Sequence, residues 1–147
     1  MRHALWTIGT AAALSGCTLF GQTAPCTLMG ADSSVAAVWR PADFGASDAV
    51  TIRLCAAERC AERLSGDAAD PYARLDVRLA DDIGAVTVPV RLTVTAAAGG
   101  RVVVTDTRDT RLTEERPNGS GCAPTVWTAT YRATPEGLGA AEGVSLR

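Results

Sequence analysis

Past a short apolar run at its start, the chain alternates apolar and polar positions with period two, the spacing of a half-buried strand. Val35, Ala37 and Trp39 share one face, and Val50, Ile52 and Leu54 another, with Thr51 and Arg53 opposite. Residues 60–64 read as the strand returning from a hairpin. Ala73, Leu75, Val77 and Leu79 alternate with Arg74, Asp76 and Arg78. Val86, Val88, Val90, Leu92 and Val94 form the longest one-sided stripe, with Pro89 on the opposite face predicting an edge strand or a bulge. Val102 and Val104 begin another strand, which 108–115 continue past a bend, and Trp127, Ala129 and Tyr131 line the last.

Turn clusters separate these runs: Ser65-Gly66-Asp67, Asp81-Asp82-Ile83-Gly84, Gly99-Gly100 and Pro117-Asn118-Gly119-Ser120-Gly121. Helical spacing of apolar residues is confined to the first stretch. The pattern predicts an all-β fold, an immunoglobulin-like antiparallel β-sandwich of about seven or eight strands, with a closed barrel as the other architecture. Trp39, Trp127 and Tyr131 are expected between the sheets. From Gly137 the chain is rich in Gly and Ala, so 135–147 read as a fraying tail.

The first residues change the setting. Arg2 and His3 precede an apolar run, Ala4 to Leu14, then small residues, the layout of a secretory signal. The run is shorter than the roughly 20 residues that span a bilayer. Leu14-Ser15-Gly16-Cys17 resembles the bacterial lipoprotein box. That resemblance implies a diacylglyceryl group on the Cys17 thiol, cleavage just before it, and a protein held on a membrane outside the cytoplasm. Thr18 follows, so the aspartate that marks inner-membrane retention in some diderm bacteria is missing. The expected divisions are residues 1–16 as signal peptide, 17–25 as lipidated cysteine and short stalk, 26–134 as sandwich and 135–147 as tail. The stalk residues 18–25 reach at most about 26–29 Å, which keeps the domain close to its membrane.

An exported chain meets an oxidising compartment. Besides Cys17 it has Cys26, Cys55, Cys60 and Cys122, which allow three pairings. Ala56-Ala57-Glu58-Arg59 is a hairpin-length spacer and favours Cys55 with Cys60, leaving Cys26 with Cys122. A metal site or redox-active thiol pair is the rival, against which the spacings stand.

Composition narrows the chemistry. With 14 basic and 16 acidic residues the net charge is −2, too balanced for an electrostatic nucleic-acid binder. Every basic residue is arginine, which we read as GC-rich coding. The one histidine, His3, lies in the signal, so the mature domain lacks imidazole and lysine alike. Serine–histidine, cysteine–histidine, serine–lysine and Schiff-base chemistry are thereby excluded. Paired carboxylates remain: Asp67 with Asp70, Asp81 with Asp82, Glu114 with Glu115, all near predicted turns, where solvated acids are the ordinary outcome. Asp67 and Asp70 lack the ligand spacing of an EF-hand loop, and Met29 alone is a poor copper ligand set. No cofactor, metal or catalytic residue is expected. Arg74 and Arg78, joined by Arg53, Arg91 and Arg101, are candidates for one basic outer surface facing anionic headgroups or polymer.

Cys26-Thr27-Leu28-Met29-Gly30, the strand around Val35 to Trp39, the Cys55 to Cys60 hairpin and the 117–125 segment together resemble actinobacterial secreted lipoproteins with an immunoglobulin-like β-sandwich domain. Ala31 and Val126 stand where similar sequences carry two more cysteines, and the resemblance implies a third bridge jointly absent here. It agrees with pairing Cys26 to Cys122 and supplies no catalytic residues. The expected role is a membrane-anchored binding or interaction module of the cell envelope, working on a neighbouring envelope protein through loops 40–47, 65–71 or 115–121. The alternatives are a structural envelope lipoprotein without a defined partner and a carboxylate-based hydrolase.

Overall fold

A computed structural model describes residues 25–141. The signal, the box Leu14-Ser15-Gly16-Cys17, stalk residues 17–24 and residues 142–147 lie outside the described residues. Nine strands are present among the described residues: β1 Ser34–Trp39, β2 Val50–Ala56, β3 Arg59–Leu64, β4 Ala73–Arg78, β5 Thr87–Ala96, β6 Val102–Arg111, β7 Thr113–Glu115, β8 Val126–Thr134 and β9 Gly137–Ala140. They form two sheets packed face to face, the architecture of immunoglobulin-like sandwiches. One sheet runs β4-β1-β8 with β7 and β9 both on the far edge of β8; the other runs β3-β2-β5-β6. The connectivity keeps the β2–β3 hairpin within one sheet. Pairing is antiparallel throughout, except that β1 lies parallel to β8.

The period-two stripes become the core. Ile52 and Leu54 from β2, Val90, Leu92 and Val94 from β5, and Val35 and Val77 opposite them are nearly solvent-free. Strand β1 departs from the simple alternation, because Ala36 and Val38 on its outer face are buried too. The cross-strand neighbours of Val38 are Arg74 and Arg132, and those of Ala36 are Asp76 and Thr130. Val38 thus lies between two long side chains whose apolar stems can shield it while their heads pair with Asp76 and Asp43. Trp39 is buried, and Trp127 and Tyr131 are half-buried against the core.

Two expectations change and one, a bend, is met. The strand carrying Pro89 is interior, not an edge, since β5 lies between β2 and β6. Proline fits there because its nitrogen points past the end of β2; the Pro89 carbonyl on that side accepts the Ala57 N–H at 3.0 Å. The bulge lies elsewhere, between Val94 and Thr95. The stretch 108–115 does bend: the buried Leu112 carries the chain from β6 in one sheet to β7 in the other. The expected fraying from Gly137 gives way to β9, with Leu138 only 2% exposed.

Asp106 holds β9 down. This inward-pointing acid on β6 accepts the Leu138 N–H at 2.8 Å. Gly137 passes so close that a Cβ there would sit 2.7 Å from the Asp106 carboxylate oxygen. The hydrogen bond from Leu138, helped by Arg108, holds the Asp106 carboxyl below its ordinary pKa. A depressed folded pKa stabilises above the unfolded value of about 3.9 and loses that contribution as pH falls through the folded value. Asp106→Ala is expected to cost about 1–3 kcal/mol at neutral pH by stranding a buried N–H. Asp106→Asn keeps an acceptor but flattens the acid dependence, so urea midpoints of the Asn variant and the parent converge below about pH 4.

Candidate functional site

Strand direction sorts the loops onto two ends. β1 starts at one end beside the segment carrying Cys26, and β8, parallel to it, starts there too. This Cys26 end therefore collects 25–33, the β2–β3 turn, 79–86 and 116–125. The opposite, distal end collects 40–49, 65–72 and the β5–β6 and β8–β9 turns. Two of the three expected binding loops, 40–47 and 65–71, thus lie together, and the third, 115–121, lies at the other end.

The distal pair is stapled. A 3-10 turn, Pro41–Phe44, follows β1 because Pro41 opens it and is itself buried under the loop. The Asp48 N–H donates to the Gly66 carbonyl at 2.9 Å, and the Asp48 carboxylate accepts the Gly66 N–H at 3.0 Å. Ser47 Oγ accepts the Ala68 N–H and donates to Asp67 Oδ1 at 3.1 Å, while Asp67 also accepts the Ala69 N–H. The Ala69 bond first, then the Ser47 bond, holds the exposed Asp67 carboxyl below its ordinary pKa. Below them the Trp39 Nε1–H donates to the Ser65 carbonyl at 2.7 Å, and the Arg63 guanidinium lies 5.7 Å from the centroid of the Trp39 ring. The rim carries two exposed apolar side chains, Leu64 and Tyr72. Its chemistry is therefore a mixed acidic and apolar surface on a rigid support.

The Cys26 end is tied covalently. Cys26 is bonded to Cys122 with Cα atoms 5.6 Å apart. Asn118, 7% exposed, is the centre of this end. Its Oδ1 accepts the Thr27 hydroxyl at 2.7 Å and the Met29 N–H at 3.0 Å. Its Nδ2 donates to the Met29 carbonyl at 2.9 Å and to the Ala123 carbonyl. A cleft of about 580 Å³ opens beside it, lined by Pro25, Cys26, Asn118, Ser120, Cys122 and glycines, with no charged side chain to select an ionic ligand. Cys55 and Cys60 face each other across the β2–β3 pair and are bonded, Cα atoms 4.0 Å apart.

The other candidates disperse. Arg74 and Arg78 lie on the outer face of one sheet and Arg53 and Arg91 on that of the other, with Arg101 in the β5–β6 turn, so no single basic surface forms from them. Arg74 is paired with Asp76 at 2.6 Å, and that bond raises its pKa. Glu114 binds Arg116 at 2.6 Å, while Glu115 accepts the Thr128 hydroxyl at 2.7 Å. Asp81 lies 3.8 Å from Arg78. Among the described residues no three acids, cysteines or histidines gather as metal ligands, and no helix is long and apolar enough to cross a membrane. Residue spacing gave no sign of Asn118, Ser47 or Asp48: each reads as an ordinary turn residue, and only the folded loops bring their partners into reach. No family model matches the chain, and no curated protein or solved structure matches it significantly.

Proposed function

We propose that the protein is an extracytoplasmic lipoprotein, held on its membrane by lipid on Cys17, whose sandwich is a binding module of the cell envelope. The partner class is a neighbouring envelope protein, met by the distal loop pair with Leu64 and Tyr72. One observation carries this reading: the loops at 40–49 and 65–72 are stapled at the end of the sandwich opposite Cys26. A domain tethered through residues 17–25 would present that end outward. Binding surfaces are commonly built from loops on such rigid scaffolds. The resemblance to actinobacterial secreted lipoproteins fits the same reading.

In-cell crosslinking of the full chain, read by mass spectrometry, tests it. One dominant crosslinked protein is expected, lost in a Cys17→Ala chain that cannot be lipidated. Tyr72→Ala should cut its yield roughly tenfold, the scale of about 1.4 kcal/mol at an aromatic contact. Crosslinks to lipid or wall polymer alone would favour a structural envelope role instead.

A further inference from the structure

The Cys26 end carries an exposed apolar pair that the sandwich does not use. Leu28 is 99% exposed and Met29 57% exposed. Side chains so bare usually belong to loose segments, yet this one is fixed. The Asn118 side chain grips both the N–H and the carbonyl of Met29, and Cys26 is bonded to Cys122. The fold thus holds two apolar side chains out into solvent at the end where the chain enters.

We propose that Leu28 and Met29 seat in the interfacial layer of the bilayer, giving the domain a second point of contact with its own membrane; this rests on the reading of Cys17 as the lipid anchor. The chain length fits. The linking residues 18–25 span at most about 26–29 Å even fully extended, so the pair cannot leave the neighbourhood of the surface. Two side chains would not bind a membrane from solution, but tethering makes a weak contact effectively intramolecular. The contact is apolar, not electrostatic. Arg78 is paired with Asp32 at 2.7 Å and Arg116 with Glu114 at 2.6 Å, and Asp81 and Asp82 would repel anionic headgroups. Seating this end on the bilayer turns the distal loops away from it.

Met29 supplies the test, because the sequence has 2 methionines and the other is Met1. Peroxide converts an exposed methionine to its sulfoxide, which intact mass reads directly. The full lipidated chain is placed on protein-free phosphatidylglycerol/phosphatidylethanolamine vesicles, with the Cys17→Ala chain beside the same vesicles as reference. Oxidation of Met29 is expected to slow several-fold on the vesicles, insensitively to salt, and Leu28→Asp is expected to restore the faster rate. Equal rates in a chain whose mass confirms the diacylglyceryl group would overturn the inference and leave the anchor standing. A mass without that group would remove the anchor, and the inference with it. Protection seen in native membranes but not in protein-free vesicles would also overturn it, showing a protein neighbour over the pair.

Discussion

Replacing the terminal bridge with Cys26→Ser/Cys122→Ser is expected to lower the unfolding free energy by about 4–5 kcal/mol. The bridge closes a loop of sequence separation 96, and loop-closure entropy grows with loop length. That loss is a large share of the roughly 5–15 kcal/mol that holds a typical domain. The matching Cys55→Ser/Cys60→Ser change closes a loop of separation 5 and is expected to cost only about 2 kcal/mol. Urea unfolding of the two double variants gives the comparison, and equal losses would refute the loop-length account. Hydrogen exchange adds a local readout. Without the bridge, the Met29 amide is left to the Asn118 clamp alone and should lose protection before the strands do. The same bridge fixes the orientation of the Leu28–Met29 pair, so its removal should also erase any membrane protection of Met29.

The second large effect lies at the other end. Trp39→Ala is expected to cost about 3–5 kcal/mol, the range for deleting a buried aromatic. Trp39 is 2% exposed and forms the floor of the distal loops. Its ring packs in the core, its Nε1–H holds the Ser65 carbonyl, and Arg63 covers its face. Trp39→Phe separates these roles. It keeps most of the packing but strands the buried Ser65 carbonyl, at a cost of about 1–3 kcal/mol. If the distal loops bind a partner, the Phe variant should stay folded in chemical denaturation yet lose crosslinking yield, because the 65–72 loop is no longer pinned. A Phe variant as stable as the parent would show that the indole hydrogen bond contributes little.

Strand identity, the two-sheet architecture and the Cys55–Cys60 pair were legible in the residues, because each rests on local information, and with that pair assigned Cys26 and Cys122 follow by elimination. Side chains two apart share a strand face, so the stripes on β2, β4 and β5 declare both element and core. The Cys55–Cys60 pair is a hairpin feature within a few residues. What stayed hidden depends on partners far apart in sequence. Period two says which face of a strand is apolar but not which strands lie beside it, so Pro89 could not announce an interior position past the end of β2. The burial of Ala36 and Val38 required knowing that Asp76 and Thr130 flank the one and Arg74 and Arg132 the other. Gly137 and Leu138 looked like tail until Asp106 on β6 came within reach.

Location and function divide along the same line. The anchoring reading comes from contiguous residues, Leu14-Ser15-Gly16-Cys17, because a signal is recognised as an extended local string. The sequence by itself also determined that residues 25–141 carry neither imidazole nor lysine, since folding cannot supply a side chain the chain lacks. Only the tertiary structure decided that two of three candidate loops share one end, that the arginines divide between opposite faces, and that Asn118 is a clamp and not a turn residue. Those outcomes turn on strand order and direction, which are set by the packing of whole sheets and have no counterpart in the spacing of neighbouring residues.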